Sequence, residues 1–244
     1  MEVTRNFMIA TAAALTLAAC GGGAGGDGAK SNATAIAAPA GTSWSETTAV
    51  SSYGGFVMGN PDAPVKLAEY GAFSCSHCAD FSEASKTELK ALVDKGTVSY
   101  EFRPFLLGPQ DIPASLLARC SGPGPFFAIA EQMFAAQRDW LGKLQTISEA
   151  DQKRFSTLNP VQLTAALAEV TGLEAFIQQQ GVPADKAKAC LADAKAIDAL
   201  VKMSQVGQTE FKVQGTPTFV INGSTVENTS EWSALKPKLI AAGA

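Results

Sequence analysis

Two cysteines at a spacing of three, Cys75 and Cys78, sit at a junction that restricts this chain more than any other feature. Ahead of them, Val65-Lys66-Leu67-Ala68-Glu69-Tyr70 reads as a strand, set off by the turn signal Asn60-Pro61-Asp62-Ala63-Pro64. Behind them, Phe81, Ala84, Leu89, Leu92 and Val93 recur at the spacing of one apolar helix face, and Gly96 ends the run. Val98-Ser99-Tyr100-Glu101-Phe102 then alternates as a second strand. The order is strand, dithiol, helix, strand.

The middle of the chain is helical and the end returns to β structure. Leu116, Leu117 and Cys120 share a face before Gly122-Pro123-Gly124-Pro125 interrupts the pattern. Phe126, Phe127, Ala130, Met133 and Phe134 start another helix that runs toward Trp140. Asn159-Pro160 reads as an N-cap followed by proline in the first turn, with Leu163, Leu167 and Val170 on the inner face. Pro183 precedes one more helix, carrying Cys190, Leu191, Ala194, Ile197 and Val201 inward. Thr218-Phe219-Val220-Ile221 is a short strand, Asn222-Gly223 a two-residue hairpin turn, and Ser224-Thr225-Val226 the return strand. Ser230 is placed to cap a last helix through Leu235, Leu239 and Ile240. Strands far apart in sequence must then share one sheet, with the helical block inserted between them.

The N-terminus reads as an export signal. A basic start at Arg5 leads into a short apolar run over residues 7–19, too short for a membrane crossing. It ends in Leu17-Ala18-Ala19-Cys20-Gly21, which resembles a bacterial lipoprotein box in which cleavage leaves Cys20 as a lipid-bearing N-terminus. The Gly-, Ala-, Ser- and Thr-rich stretch that follows, to residue 48, has too little apolar surface to order itself and is expected to be a tether. Outside the cytoplasm, disulfides persist. With a net charge of −4, 17% charged residues and no basic patch, the chain is not expected to bind nucleic acid.

A dithiol at the start of a helix has an evident chemistry. Free backbone N–H groups and the helix dipole favour a Cys75 thiolate, which attacks a disulfide to form a mixed disulfide. Cys78, one turn on, can resolve that intermediate, and His77 between them can add positive charge or a hydrogen bond. Other readings compete. A structural zinc site needs about four ligands, but His77 is the only histidine and Cys120 and Cys190 do not form a close pair. Covalent haem attachment wants histidine after the second cysteine, where Ala79 stands. A buried structural disulfide across so short a loop would constrain little chain entropy. No cofactor is implied.

Glu69-Tyr70-Gly71-Ala72-Phe73-Ser74-Cys75-Ser76-His77-Cys78, together with Gly215-Thr216-Pro217-Thr218-Phe219-Val220-Ile221-Asn222-Gly223, resembles the DsbA family of periplasmic thiol:disulfide interchange proteins over roughly residues 50–242. The resemblance implies a thioredoxin-like α/β fold interrupted by helices: a first part over 49–108, an inserted helical domain over 109–206, and a second part over 207–244. It implies Cys75 as exposed nucleophile, Cys78 as buried resolving thiol and His77 as stabiliser of the thiolate. It further implies Pro217 as a cis-proline facing the cysteines, Thr216 as a source of backbone groups for bound peptide, and Glu69 as a buried acid that takes the proton from Cys78. Two departures stand out. Ser76 replaces a common proline, and Thr216 also occurs in relatives that reduce or isomerise disulfides.

If Cys75 pairs with Cys78, Cys120 and Cys190 remain, either as a bridge closing about 70 residues or as two buried thiols. A bridge resembles the extra helical-domain disulfide of some alphaproteobacterial relatives. The resemblance implies unfolded or partly folded exported proteins as clients and a DsbB-type membrane partner that restores the disulfide. Gly21 rather than Asp after Cys20 points the lipid anchor to the periplasmic face of the outer membrane. A reductase or isomerase on the same fold, and a non-catalytic lipid-anchored module, are the competing functions. Phe73, Phe126 and Phe127 are candidates for an apolar peptide groove, although core packing is the default for such aromatics.

Overall fold

The computed structural model describes residues 34–244. The expected signal segment over 1–19, the lipidated Cys20 and the tether as far as residue 33 lie outside the described residues. The rest of the expected tether is docked. The Ile36 N–H donates to the Lys95 carbonyl at 2.7 Å, and Trp44 Nε1 to the Ile36 carbonyl at 2.7 Å. The Ser45 N–H reaches the Asp94 carboxylate at 2.9 Å, and a single 3-10 turn, Trp44–Glu46, leads into the first strand. Trp44 explains the difference: its ring packs against the core while its indole N–H finds a carbonyl, so this stretch does bury apolar surface.

Six strands form one mixed sheet: β1 (Thr48–Val50), β2 (Phe56–Gly59), β3 (Val65–Gly71), β4 (Val98–Pro104), β5 (Thr218–Ile221) and β6 (Ser224–Val226), in the order β1-β2-β4-β3-β5-β6. Only β3 and β4 run parallel, with Val65 opposite Val98 and Glu69 opposite Phe102. That pair needs a crossover, and α1 (Ser76–Asp94) supplies it. β5 returns antiparallel to β3 although some 150 residues lie between them, and β6 closes the hairpin. Asn222 and Gly223, with φ of 49° and 84°, make the turn that the sequence signals. β1 and β2 escape sequence reading because three and four residues are too few to show an alternation.

Eight helices separate β4 from β5: α2 (Asp111–Arg119), α3 (Pro123–Ala135), α4 (Gln137–Leu144), α5 (Glu149–Phe155), α6 (Pro160–Thr171), α7 (Leu173–Gln179), α8 (Ala184–Leu191) and α9 (Ala194–Glu210). α10 (Trp232–Ala241) ends the fold. The expected class, a thioredoxin-like α/β fold with inserted helices, is what the chain adopts. Several local expectations are corrected. Pro123 opens α3 instead of breaking the chain, since proline in a first turn forfeits no helical hydrogen bond. The helix expected to run to Trp140 stops at Ala136, and α4 restarts at Gln137. The helix expected from Pro183 through Val201 is split by Asp193, whose carboxylate caps α9 at the Ala196 N–H. Glu231, not Ser230, occupies the cap position of α10. The boundary expected after 206 falls inside α9, which continues to Glu210.

The sheet is covered on both faces. On one, Val65, Leu67 and Phe219 pack with Cys78, Phe81 and Leu89 of α1, Phe126 of α3, and Leu235 and Leu239 of α10. On the other, Ala68, Tyr70 and Val220 pack with Phe105, Phe211 and Val213, and with Val206 of α9. Cys120, at the end of α2, is disulfide-bonded to Cys190 of α8, with Cα atoms 5.8 Å apart. Both are half-buried at helix ends, with Cys120 packed against the core. On a chain-entropy argument, closing a loop of this length stabilises by about 4 kcal/mol.

Gly207 brings α9 tightly against the sheet: a Cβ there would lie 2.8 Å from Cε1 of the buried Tyr70 ring. Alanine normally strengthens a helix interior. Here Gly207→Ala is expected to destabilise by about 1–3 kcal/mol through overpacking, read as a lower midpoint in urea.

Candidate active site

The site forms where β3 runs out. After Gly71 the chain turns through residues 72–74, and Cys75 takes the N-cap position of α1 with φ −82° and ψ 119°. Its Sγ accepts the Cys78 N–H at 3.2 Å, so sulfur stands where a Ser or Asp oxygen usually caps a helix. Cys75, expected to be exposed, is only 8% accessible because the Thr216 main chain lies against its sulfur, and Cys78 is wholly buried against the sheet. Both are free thiols. The loop before β5 lies across from them: the Thr216–Pro217 peptide is cis, and the Cys75 thiol donates to the Thr216 carbonyl at 3.2 Å. Residues 141 positions apart therefore meet at one sulfur.

The two sulfurs are treated in opposite ways. The Cys75 thiol is lowered from 9.0 to about 6, chiefly by the hydrogen bond from the Cys78 thiol, aided by the Cys78 and His77 main-chain N–H groups against the cost of burial. Burial pushes Cys78 well above the usual thiol value, and the nearby Glu69 charge pushes the same way. The His77 side chain is exposed; what the residue gives the thiolate comes from its backbone.

Glu69 faces the underside of α1, 1% exposed. Burial raises its carboxyl to about 8, even though the Tyr100 hydroxyl donates to Oε2 at 2.5 Å. Its other oxygen, Oε1, has no protein partner. Glu69 and Tyr100 line a narrow crevice between α1 and α3, with Ser82, Ser85 and Glu131 further along it. Of the aromatics considered for a peptide groove, Phe73 and Phe126 are fully buried core residues, and Phe127 is half-buried beside Tyr100. A separate groove of about 620 Å³ flanks the cis-proline, lined by Gln214, Thr216, Pro217, Thr218 and Thr225 among others.

Two polar residues of the helical block that the sequence did not point to complete the site. Asp111, fully buried in the first turn of α2, accepts the Ser74 N–H at 2.8 Å, the Ser74 hydroxyl at 2.9 Å, and the Leu107 and Gly108 N–H groups at 3.0 and 3.1 Å. Gln137, first residue of α4 and 5% exposed, donates from Nε2 to the Phe73 and Cys75 carbonyls, each at 2.8 Å. Asp111 carries the signal of an acidic residue opening a helix, but nothing local ties it or Gln137 to Ser74 and Cys75.

This is the arrangement of a thioredoxin-fold dithiol protein whose redox motif is braced by inserted helices. A family model described as Thioredoxin matches residues 51–240, and the chain belongs to that family. It is similar to a protein described as a protein-disulfide oxidoreductase in Rickettsia bellii, 29% identical over 175 residues. That match covers 71% of this chain and 59% of the other. Among solved structures it is similar to a protein-disulfide isomerase from Novosphingobium aromaticivorans, with 28% identity, a TM-score of 0.72, and coverage of 76% of this chain and 95% of that one. The fold is also that of Wolbachia pipientis alpha-DsbA1, with 20% identity, a TM-score of 0.61, and coverage of 77% and 89%.

The Glu69 carboxyl generates a prediction. Its folded value, about 8, lies above the unfolded one near 4.5, so between them the native state holds a proton that the unfolded state has lost. Stability therefore falls as pH rises through that window. Glu69→Gln removes the effect and is expected to stabilise the reduced protein by roughly 2–4 kcal/mol at pH 8 and little at pH 4. Thermal unfolding at the two pH values measures the difference, and an equal shift at both would contradict it.

Proposed function

We propose that this chain is an exported thiol–disulfide oxidoreductase that passes a Cys75–Cys78 disulfide to unfolded or partly folded exported proteins. The observation that carries the reading is the asymmetry of the two sulfurs, one poised as a thiolate at the helix N-terminus and one held as a buried thiol. A client thiolate attacks Cys75 Sγ of the disulfide form, and the Cys75–Cys78 bond breaks with its electron pair leaving on Cys78. Burial disfavours a charge there, so Cys78 takes a proton, and Glu69, protonated below about 8, is the donor beneath it. A second client thiol, losing its proton, attacks the client sulfur of the mixed disulfide. Cys75 then departs as a thiolate, stable above pH about 6. The client has lost two electrons and two protons; the dithiol has gained the electrons and, on Cys78, the Glu69 proton, so one client proton restores Glu69 by way of solvent and the other stays in solvent.

The groove beside Pro217 is where an extended client segment lies, with the Thr216 main chain as its hydrogen-bonding edge. A DsbB-type, quinone-linked membrane partner removes the two electrons and restores the disulfide. Export and attachment rest on the sequence: cleavage before Cys20 leaves a lipid-bearing N-terminus in the periplasm, on the outer-membrane side because Gly21 replaces Asp. Cys20→Ala is expected to move the protein from the membrane pellet to the soluble fraction. A parent protein that is already soluble without detergent would remove the anchor from the reading.

One observation favours a second reading, reduction or isomerisation on the same fold. The lowered Cys75 value of about 6 falls between the ~3.5 of strong oxidants and the ~7 of thioredoxin. The Novosphingobium protein similar to this chain is also described as an isomerase. The reduction potential of the Cys75–Cys78 pair, titrated against glutathione on the soluble domain lacking Cys20, separates the two. The oxidase reading expects a value well above the roughly −270 mV of thioredoxin, toward the roughly −120 mV of strong oxidants. A value near the thioredoxin figure would replace it with a reductase.

A further inference from the structure

The redox loop is pinned from outside the sheet that carries it. Within that loop, the Cys75 N–H goes to the Ala72 carbonyl at 3.1 Å, and the Ser74 N–H goes to Asp111. The Phe73 carbonyl has Gln137 Nε2 as its partner, and the Cys75 carbonyl is shared between the same nitrogen and the Ala79 N–H at 3.2 Å. Gln137 thus grips the two peptides that flank Ser74 and Cys75 with a single amide. One of them, the peptide after Cys75, sets the direction in which the first N–H groups of α1 point. If it turned, the Cys78 N–H would swing away from Sγ, now 3.2 Å distant.

The position of Gln137 is itself built. The continuous helix expected here is interrupted at Ala136, with φ −87° and ψ 5°. The break presents Gln137 from the first turn of α4, and Trp140, 3% exposed, anchors that turn by donating from Nε1 to the Met133 carbonyl at 3.2 Å. A buried amide costs free energy unless its hydrogens are bonded, and here they are aimed at the redox loop.

We propose that Gln137 is a positioning residue for the thiol–disulfide chemistry: its amide holds the Cys75 peptide so that Sγ stays on the N-terminal N–H groups of α1. The inserted helices thereby set the reactivity of Cys75 without touching its sulfur. This rests on the exchange chemistry proposed above, but its readout does not depend on any client or on the direction of electron flow.

The test uses the reduced protein with the Cys120–Cys190 bridge intact. Gln137→Met keeps nearly the same volume and removes both donated bonds. Its thiolate absorbance as a function of pH, and its rate of alkylation by iodoacetamide near pH 6, are compared with those of the parent. The expected result is an upward move of the Cys75 titration and a fall of roughly threefold to fivefold in thiolate-dependent alkylation, the effect of losing one to two ordinary hydrogen bonds. Thr171→Val removes a buried hydrogen bond to the Leu167 carbonyl within α6, elsewhere in the inserted helices, and is expected to leave the titration at the parent value. Should Gln137→Met fail to fold, Gln137→Asn, whose shorter stem cannot hold both carbonyls, carries the same expectation. An unchanged titration in the Gln137 variant, or an equal shift in Thr171→Val, would overturn the assignment. A parent that does not equilibrate with glutathione would instead sink the proposed function, while the comparison between variants still reads the role of Gln137.

Discussion

The contact between Cys75 Sγ and the N-terminal N–H groups of α1 is the interaction on which the rest of this structure depends. A helix start offers donors that its own backbone cannot satisfy, and a sulfur held among them is favoured as an anion. Everything nearby keeps that sulfur at that point. β3 delivers the chain to the helix start, Thr216 closes over the sulfur from the cis-proline loop, and Asp111 and Gln137 fix the intervening turn. The first helical turn is therefore both a structural cap and the source of the reactivity proposed for it.

Glu69 shows the opposite use of the same physics. It lies on β3, and the alternation that sends Ala68 and Tyr70 to one face of the sheet sends Glu69 with Leu67 to the face under α1. A carboxyl in that layer pays for its burial by holding on to its proton, with one oxygen bonded to Tyr100 and the other without a protein partner. Such a group is a poor contributor to stability at neutral pH and, in the exchange proposed here, the proton donor to a thiolate that burial also disfavours. The cost in stability and the chemical usefulness have one cause.

The inserted helices connect to the redox motif through polar contacts as well as apolar packing. Phe73 packs on Phe134 of α3, and Phe102 of β4 links both to Phe126, while Asp111 and Gln137 reach the loop backbone from α2 and α4. Apolar contacts tolerate small shifts, whereas hydrogen bonds of 2.8 Å specify direction. The Cys120–Cys190 bridge ties the end of α2 to α8 and so limits how far the block can rearrange around these contacts.

The strand before Cys75, the helix after Cys78, the Asn159 cap with Pro160, and the Asn222-Gly223 hairpin were legible in the sequence, because each is written in neighbouring residues by period, capping or turn chemistry. So was the dithiol, since its two thiols lie within one helical turn, whereas the cis-proline loop was legible only through the family resemblance. The strands β1 and β2, the break at Ala136, and the docking of Trp44 were not, because short strands and helix interruptions are decided by what they pack against. Nor were the roles of Tyr100, Asp111 and Gln137, which act on residues 31 to 64 positions away. The sequence by itself determined the strand, dithiol and helix at the centre of the fold, the closing hairpin, and the pair of sulfurs that can react. Only the tertiary structure decided how strongly they react, since a thiolate is stabilised by donors and burial that the chain must bring together from distant positions.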